Sequence, residues 1–370
     1  MIRRYLQPQV ERDLARKMVF LAGPRQVGKT TLALALEGAR EGYLCWDVPE
    51  HRERILRREL PPASLWIFDE LHKWRSWRNF LKGLWDAAPG ARRILVTGSA
   101  RLEVLRYSGD SLQGRYHLLR LHPFSVAELG IASREDLEQL VLLGGFPEPF
   151  LSGSQTEARR WAREYRMLLV HEEVRTLTAM RDLAALELLM LRVPELVGSP
   201  LSVNALREDL GVAHRTAASW LDALERLYAF FRVPPFGGPR LRTLKKAQKL
   251  YLFLWNQVPD PGPRFENLVA CHLLKWTSFL QDVEGRDVEL RYYRDSEGRE
   301  VDFVVTERRQ PVLMVETKLS DSRPSRGLRY LAARFPGAEA WQIALDGRKD
   351  YVTPGGIRVA PALTFLRRLV

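Results

Sequence analysis

The stretch Met18–Thr31, MVFLAGPRQVGKTT, leaves few folds open to this chain. Met18 to Ala22 is an apolar run that reads as a buried parallel strand. It runs into Gly23-Pro24-Arg25-Gln26-Val27-Gly28-Lys29-Thr30, the spacing G-x-x-x-x-G-K-[ST], and Thr31 then opens a helical pattern. Glycines let backbone fold closely around phosphate oxygens, and a helix amino terminus turns unpaired N–H groups toward an anion. Residues Gly23 to Thr31 are therefore expected to bind ATP. Lys29 is expected to reach the β- and γ-phosphates, and the Thr30 hydroxyl to ligate Mg²⁺.

A second strand is read at Tyr43–Asp47 and a third at Leu65-Trp-Ile-Phe-Asp69-Glu70. Ligands of open α/β sheets sit at the carboxyl ends of the strands. Asp69 is thus expected on Mg²⁺, with Glu70 polarising the attacking water. Arg93–Thr97 is another apolar strand, followed by Gly98 and Ser99. Ser99 is the candidate to orient that water, with Thr97 in reserve. Arg115 precedes one more strand and is the candidate arginine finger, acting in cis or from a neighbouring subunit.

At 370 residues the chain has room for two or three cores. Its two cysteines exclude a disulfide framework or a zinc cluster. It holds no apolar run of membrane-spanning length, and its first residues lack the apolar core of a secretory signal, so the cytoplasm is the expected compartment. The net charge is +12, which suits a polyanionic partner, nucleic acid first. Of the 57 basic residues 47 are arginine, a bias that base composition alone also produces.

The motifs GPRQVGKTTL, IFDELHKW, LVTGSARL, GRYHLLRLHPFSVAEL and GGFP together resemble the prokaryotic AAA-type ATPases of the archaeal-ATPase and STAND-related branch. The resemblance implies a five-stranded parallel sheet, ATP hydrolysis and a small helical lid near Glu128–Phe150. Through trans fingers it also points to a homo-oligomer. The expected fold class is α/β, with an AAA+ phosphate-loop domain and lid over residues 1–155.

Residues 156–255 are expected to hold a helical connector and a winged helix. Leu201–Val212 reads as a Ser-capped helix ending on Gly211, and Ala213–Phe231 as a second helix with core-facing Trp220, Leu221 and Leu224. His214 and Arg215, with Thr216 and Ser219, would face a DNA groove. Arg240, Arg242, Lys245, Lys246 and Lys249 would meet phosphates from a wing.

Residues 256–370 carry Glu266 in a helix, Asp302 in a strand, and Glu316 and Lys318 in the next strand, where alternation turns both to one face. Two carboxylates and a lysine converging at a sheet edge can hold Mg²⁺ and position water against a phosphodiester. VDF followed by E-x-K, with a helix glutamate upstream, resembles the PD-(D/E)xK restriction-endonuclease-like fold, and Gln342 falls where that fold often has a polar residue. The expected function is a DNA-binding ATPase, stimulated by duplex, branched or forked DNA, with a nuclease-like domain. An ATP-gated Mg²⁺-dependent nuclease and a nucleotide switch on a protein partner remain the alternatives.

Overall fold

The computed structural model describes residues 2–87, 90, 92–98, 112–170, 183–237 and 248–370. The chain divides into two compact units, Met1–His122 with Asp282–Glu284, and Pro123–Gln281 with Gly285–Val370. Among the described residues no helix is long and apolar enough to cross a membrane.

The first unit is built on a five-stranded sheet of order β2-β3-β4-β1-β5. Its strands are β1 (Met18–Ala22), β2 (Tyr43–Cys45), β3 (Leu65–Asp69), β4 (Arg93–Thr97) and β5 (Tyr116–Arg120). Every pairing is parallel. All five residues of β1 are buried, as expected of a central strand covered on both faces. On one face Phe20, Phe68 and Val96 pack with Trp77, Phe80 and Leu81 of the helix Trp77–Ala87. Each such side chain contributes roughly 1.5–3 kcal/mol by leaving water. The helix Gln7–Leu14 buries Val10 and Leu14. Because the strands are parallel, all five carboxyl ends fall on one edge, where the phosphate loop and Asp69 lie.

The second unit begins with short Ser-capped helices. Ser125, Ser133 and Ser154 accept from the backbone N–H of Glu128, Asp136 and Glu157, satisfying donors that open a helix. The residues expected to form a lid, Glu128–Phe150, fall in this unit as the helices Val126–Leu129, Arg134–Leu143 and Pro147–Ser152. Further on, the helix Val203–Leu210 stops at Gly211, φ 65°, and the helix His214–Arg226 follows. Then come β6 (Phe230–Val233) and β7 (Lys249–Leu252), an antiparallel pair.

The long helix Pro261–Glu284 leads into a six-stranded sheet of order β12-β13-β11-β10-β9-β8. Its strands are β8 (Val288–Arg294), β9 (Glu300–Glu307), β10 (Gln310–Lys318), β11 (Glu339–Ala344), β12 (Tyr351–Val352) and β13 (Ile357–Pro361). Strands β8, β9 and β10 form an antiparallel meander, and β10, β11 and β13 run parallel. The helix Arg326–Arg334 makes the crossover from β10 to β11, burying Leu328 and Leu331 against Val301, Val304 and Met314. The β9–β10 turn is Arg308-Arg309, both at positive φ, the conformation of a two-residue hairpin turn.

Candidate functional site

In the first unit β1 delivers the chain to the phosphate loop at Gly23. A Cβ on Gly23 would lie 2.3 Å from the Leu121 carbonyl oxygen, so only glycine fits. Gln26 and Gly28 both take positive φ, 57° and 97°, and Gly28 caps the helix Lys29–Leu34. Such turns point successive N–H groups into one concavity. Val27 is fully buried, so only its backbone faces the loop. The Arg4 guanidinium braces the loop from behind by donating to the carbonyls of Val27 and His122.

The buried Lys29 ammonium donates to the carbonyls of Gly23 at 3.0 Å and Pro24 at 2.6 Å. Thr30 Oγ1 donates to Asp69 Oδ2 at 2.8 Å, tying the loop to the end of β3. The same carboxylate oxygen accepts from the Tyr43 hydroxyl at 2.8 Å. Thr97 Oγ1 donates to Asp69 Oδ1. Thr97, the residue expected in reserve to orient water, spends its hydroxyl hydrogen on Asp69 within the sheet. Burial and the neighbouring Asp69 carboxylate push the Tyr43 phenol well above its usual range, keeping it a donor.

Glu70 follows directly but adopts φ 56°, which breaks the strand and turns its side chain out of the Asp69 network. Burial raises its pKa; Lys29, Lys73 and Arg25 oppose that shift and Asp69 adds to it. Its Oε2 has no hydrogen-bond partner among the described residues, with Lys73 Nζ at 3.5 Å and His72 Nε2 at 3.7 Å. Ser99 lies outside the described residues. Arg115 stands at the amino end of β5: its carbonyl accepts from Met18 N–H, and its guanidinium grips Asp86. The phosphate loop leaves the opposite, carboxyl end of β1, so this geometry does not serve a finger in cis.

In the second unit the residues expected to face DNA divide. His214 and Arg215 are exposed at the start of their helix. Arg240, Arg242, Lys245 and Lys246 lie outside the described residues. Lys249 corrects the expectation of a surface contact. Its side chain is 1% exposed, because both faces of β7 are covered, and its ammonium lies 2.6 Å from Glu300 Oε1, 3.1 Å from Glu266 Oε1 and 3.9 Å from Asp302 Oδ1.

Around this lysine the expected acidic residues converge. Glu266 Oε1 also accepts from the Tyr251 hydroxyl at 2.6 Å. Asp302 Oδ2 accepts from the backbone N–H and hydroxyl of Thr317, at 2.8 and 2.7 Å, across the β9–β10 pair. Glu316 and Lys318 share a face of β10 and pair at 2.7 Å. Burial, reinforced by Asp302, pushes the Glu266 carboxyl up to about 7, although Lys249 and Tyr251 oppose it. Burial and Asp302 likewise raise Glu316, against Lys318. Gln342 is spent on the loop after β10, donating to the Ser322 carbonyl and hydroxyl and accepting from Ser325 N–H. Among the described residues no group of three or more His, Cys, Asp or Glu side chains is placed to hold a metal ion.

No sequence motif marks Arg4, Tyr43, Tyr251 or Glu300 as site residues, and none marks Lys249 as a buried cation. The faint signal for Lys249 and Tyr251 is the apolar context of KLYLFLW, which marks a strand too buried for a surface lysine.

Residues 15–130 match the AAA domain family, residues 134–253 a domain of unknown function (DUF8612), and residues 261–364 a second domain of unknown function (DUF4143). The first unit is thus similar to the AAA domain family, and two further family models match most of the rest of the chain. Uncharacterised proteins of Mycobacterium bovis and Mycobacterium tuberculosis are each 26% identical over 349 residues, 88% of this chain and 78% of theirs. Among solved structures, the Aeropyrum pernix Orc1 protein in complex with DNA aligns with 15% identity and a TM-score of 0.35, over 72% of this chain and 92% of that one. A Thermotoga maritima RuvB variant aligns with 19% identity and a TM-score of 0.30, over 62% of this chain and 89% of that one.

Proposed function

We propose that the first unit hydrolyses ATP and that DNA, duplex or branched, stimulates it. The observation that carries the ATPase reading is the Thr30–Asp69 hydrogen bond. It joins the last residue of the phosphate loop to the carboxyl end of β3, the pairing needed to hold a divalent ion beside a triphosphate.

The residues fit ATP with Mg²⁺. Gly23, Gln26 and Gly28 at positive φ shape a loop whose backbone N–H groups can gather around phosphate oxygens. Thr30 and Asp69 would hold the ion, and Mg²⁺ supplies positive charge to the β- and γ-phosphate oxygens. Lys29 donates to the carbonyls of Gly23 and Pro24, which holds its ammonium against the loop where it would meet a phosphate. Glu70 presents a buried oxygen with acceptor capacity to orient water and take its proton. Tyr43 and Thr97 hold the Asp69 carboxylate in one orientation. Arg115 is retained as a finger only toward a neighbouring copy, which makes homo-oligomerisation part of this reading.

DNA as partner is supported by the net charge of +12 and by exposed His214 and Arg215 opening the second helix of a helix–glycine–helix unit. Phosphate release is to be measured with no DNA, single strand, duplex and four-way junction, for wild type and Lys29→Ala. Hydrolysis lost in Lys29→Ala and accelerated by DNA is the expected result. Equal rates across all DNA arms would remove DNA from the reading, and undiminished hydrolysis in Lys29→Ala would remove the ATPase assignment.

A further inference from the structure

The acidic cluster of the second unit has the strand positions of a metal-dependent nuclease but not its electrostatics. A cleavage centre needs carboxylate oxygens left open toward a shared divalent ion. Here one oxygen of each carboxylate is already engaged by a protein donor. Glu266 Oε1 accepts from Lys249 and Tyr251. Asp302 Oδ2 is closed by two donors from Thr317, and its Oδ1 faces Lys249 at 3.9 Å. Glu300 Oε1 meets the same ammonium at 2.6 Å. Glu316 Oε1 meets Lys318, and its buried Oε2, without a hydrogen-bond partner among the described residues, lies outside the group held by Lys249.

Lys249 reaches this position by the fold, not by a flexible reach from the surface. It opens β7, where it pairs with Val233 of β6, and its ammonium also lies 5.5 Å from the centre of the Tyr292 ring. Burial alone would drive its proton off. The carboxylates of Glu266, Asp302 and Glu300 outweigh that penalty and hold it well above its usual range. A divalent ion entering the cluster would have to displace a fixed, permanently charged group or sit beside it in a low-dielectric interior, and like charges there repel strongly.

We propose that the Lys249 ammonium is the resident cation of the cluster formed by Glu266, Glu300 and Asp302, and that it closes this nuclease-like site to divalent metal. The second unit then staples β7 to the helix Pro261–Glu284 and to β9 by an internal ion pair network, and it does not cleave DNA by a metal-dependent route. This inference concerns the second unit alone and stands or falls without reference to ATP hydrolysis.

The test is a Mn²⁺ titration of the full chain without nucleotide, followed by the electron paramagnetic resonance signal of free Mn²⁺. Wild type and Asp302→Asn are expected to take up the ion identically, since any uptake near Asp69 is common to both. Lys249→Met is expected to gain one further ion, bound at least about tenfold tighter than any shared background, because three converging, partly buried carboxylates lose their cation. The double variant Lys249→Met/Asp302→Asn is expected to lose that gain. Wild type binding one more ion than Asp302→Asn would overturn the proposal, as would Mn²⁺-dependent strand cleavage that Asp302→Asn abolishes. A folded Lys249→Met that gains no ion would show that the ammonium is not what excludes metal. Should Lys249→Met fail to fold, the wild type and Asp302→Asn pair, with the cleavage assay, decides alone.

Discussion

Tyr43→Phe isolates the contribution of one hydroxyl to metal positioning. The Asp69 carboxylate accepts three hydroxyl hydrogen bonds, from Thr30 and Tyr43 on Oδ2 and from Thr97 on Oδ1. In the proposed reading Thr30 and Asp69 both face Mg²⁺, whereas Tyr43 does not touch it. The tyrosine therefore acts only through the orientation of Asp69. A hydrogen bond to a charged group contributes about 1.5–3 kcal/mol, and loss of an outer-shell partner of a metal ligand lowers metal affinity about 10–100-fold. Two of the three donors survive here, so the low end applies, about tenfold. The Mg²⁺ concentration for half-maximal ATP hydrolysis should rise by about that factor. At saturating Mg²⁺ the rate and the KM for ATP should stay within about twofold of wild type. Phenylalanine keeps the ring in place, so thermal stability should change little. An unchanged Mg²⁺ requirement would refute the argument that Tyr43 sets the Asp69 carboxylate. So would a rate loss that no amount of Mg²⁺ restores.

Three other perturbations test separate parts of the fold. Gly23→Ala puts a Cβ 2.3 Å from the Leu121 carbonyl oxygen at φ 150°, so fluorescent ATP-analogue binding should be lost and the urea midpoint lowered; binding at wild-type affinity would contradict the packing at the loop. Lys275 and Glu128 form an ion pair with both side chains 1% exposed, so Lys275→Met should cost about 3–5 kcal/mol by urea unfolding, and a cost below about 1 kcal/mol would show that Glu128 finds another partner. The Glu266 carboxyl titrates near 7 in the folded chain against an ordinary value of 4.5, so the folded state holds the proton more tightly. Stability from this group is greatest below about pH 4.5 and falls as the pH rises toward 7, on the order of 1–3 kcal/mol. The urea midpoint should therefore rise between pH 7.5 and 5.5, and Glu266→Gln should flatten that rise.

The parallel sheet was legible because its strands are short apolar runs ending in polar residues, a pattern that fixes both burial and the functional edge. LWIFDE is the clearest case: four apolar residues place β3 in the interior and deliver Asp69 to Thr30. What the sequence could not give was direction of reach. Arg115 lies beside a strand in the sequence, yet adjacency does not say which end of the sheet it occupies; the parallel pairing of β5 with β1 sets it at the amino end. Gln342 was readable as a polar strand residue, but not as the anchor of Ser322 and Ser325. Lys249 sat next to Lys245 and Lys246 and so read as part of a basic run. Four consecutive buried residues in β7 carry no alternation by which an inward lysine could be told from an outward one.

Two of the buried lysines, Lys29 and Lys249, make the distinction between the units concrete. Both are nearly inaccessible and both are hydrogen-bonded. Their acceptors differ. Lys29 donates to two peptide carbonyls, which are dipoles and carry no formal charge. Lys249 meets three carboxylates, whose charge exceeds its own even when Glu266 is half protonated near neutral pH. A polyphosphate gains from approaching the first and nothing from approaching the second. A divalent cation finds at the first site one aspartate and one hydroxyl on the same side, and at the second a fixed positive charge already among the carboxylates. One residue type at comparable burial thus prepares one site to receive an anion and closes the other to a cation, and what decides between them is whether the acceptors carry formal charge.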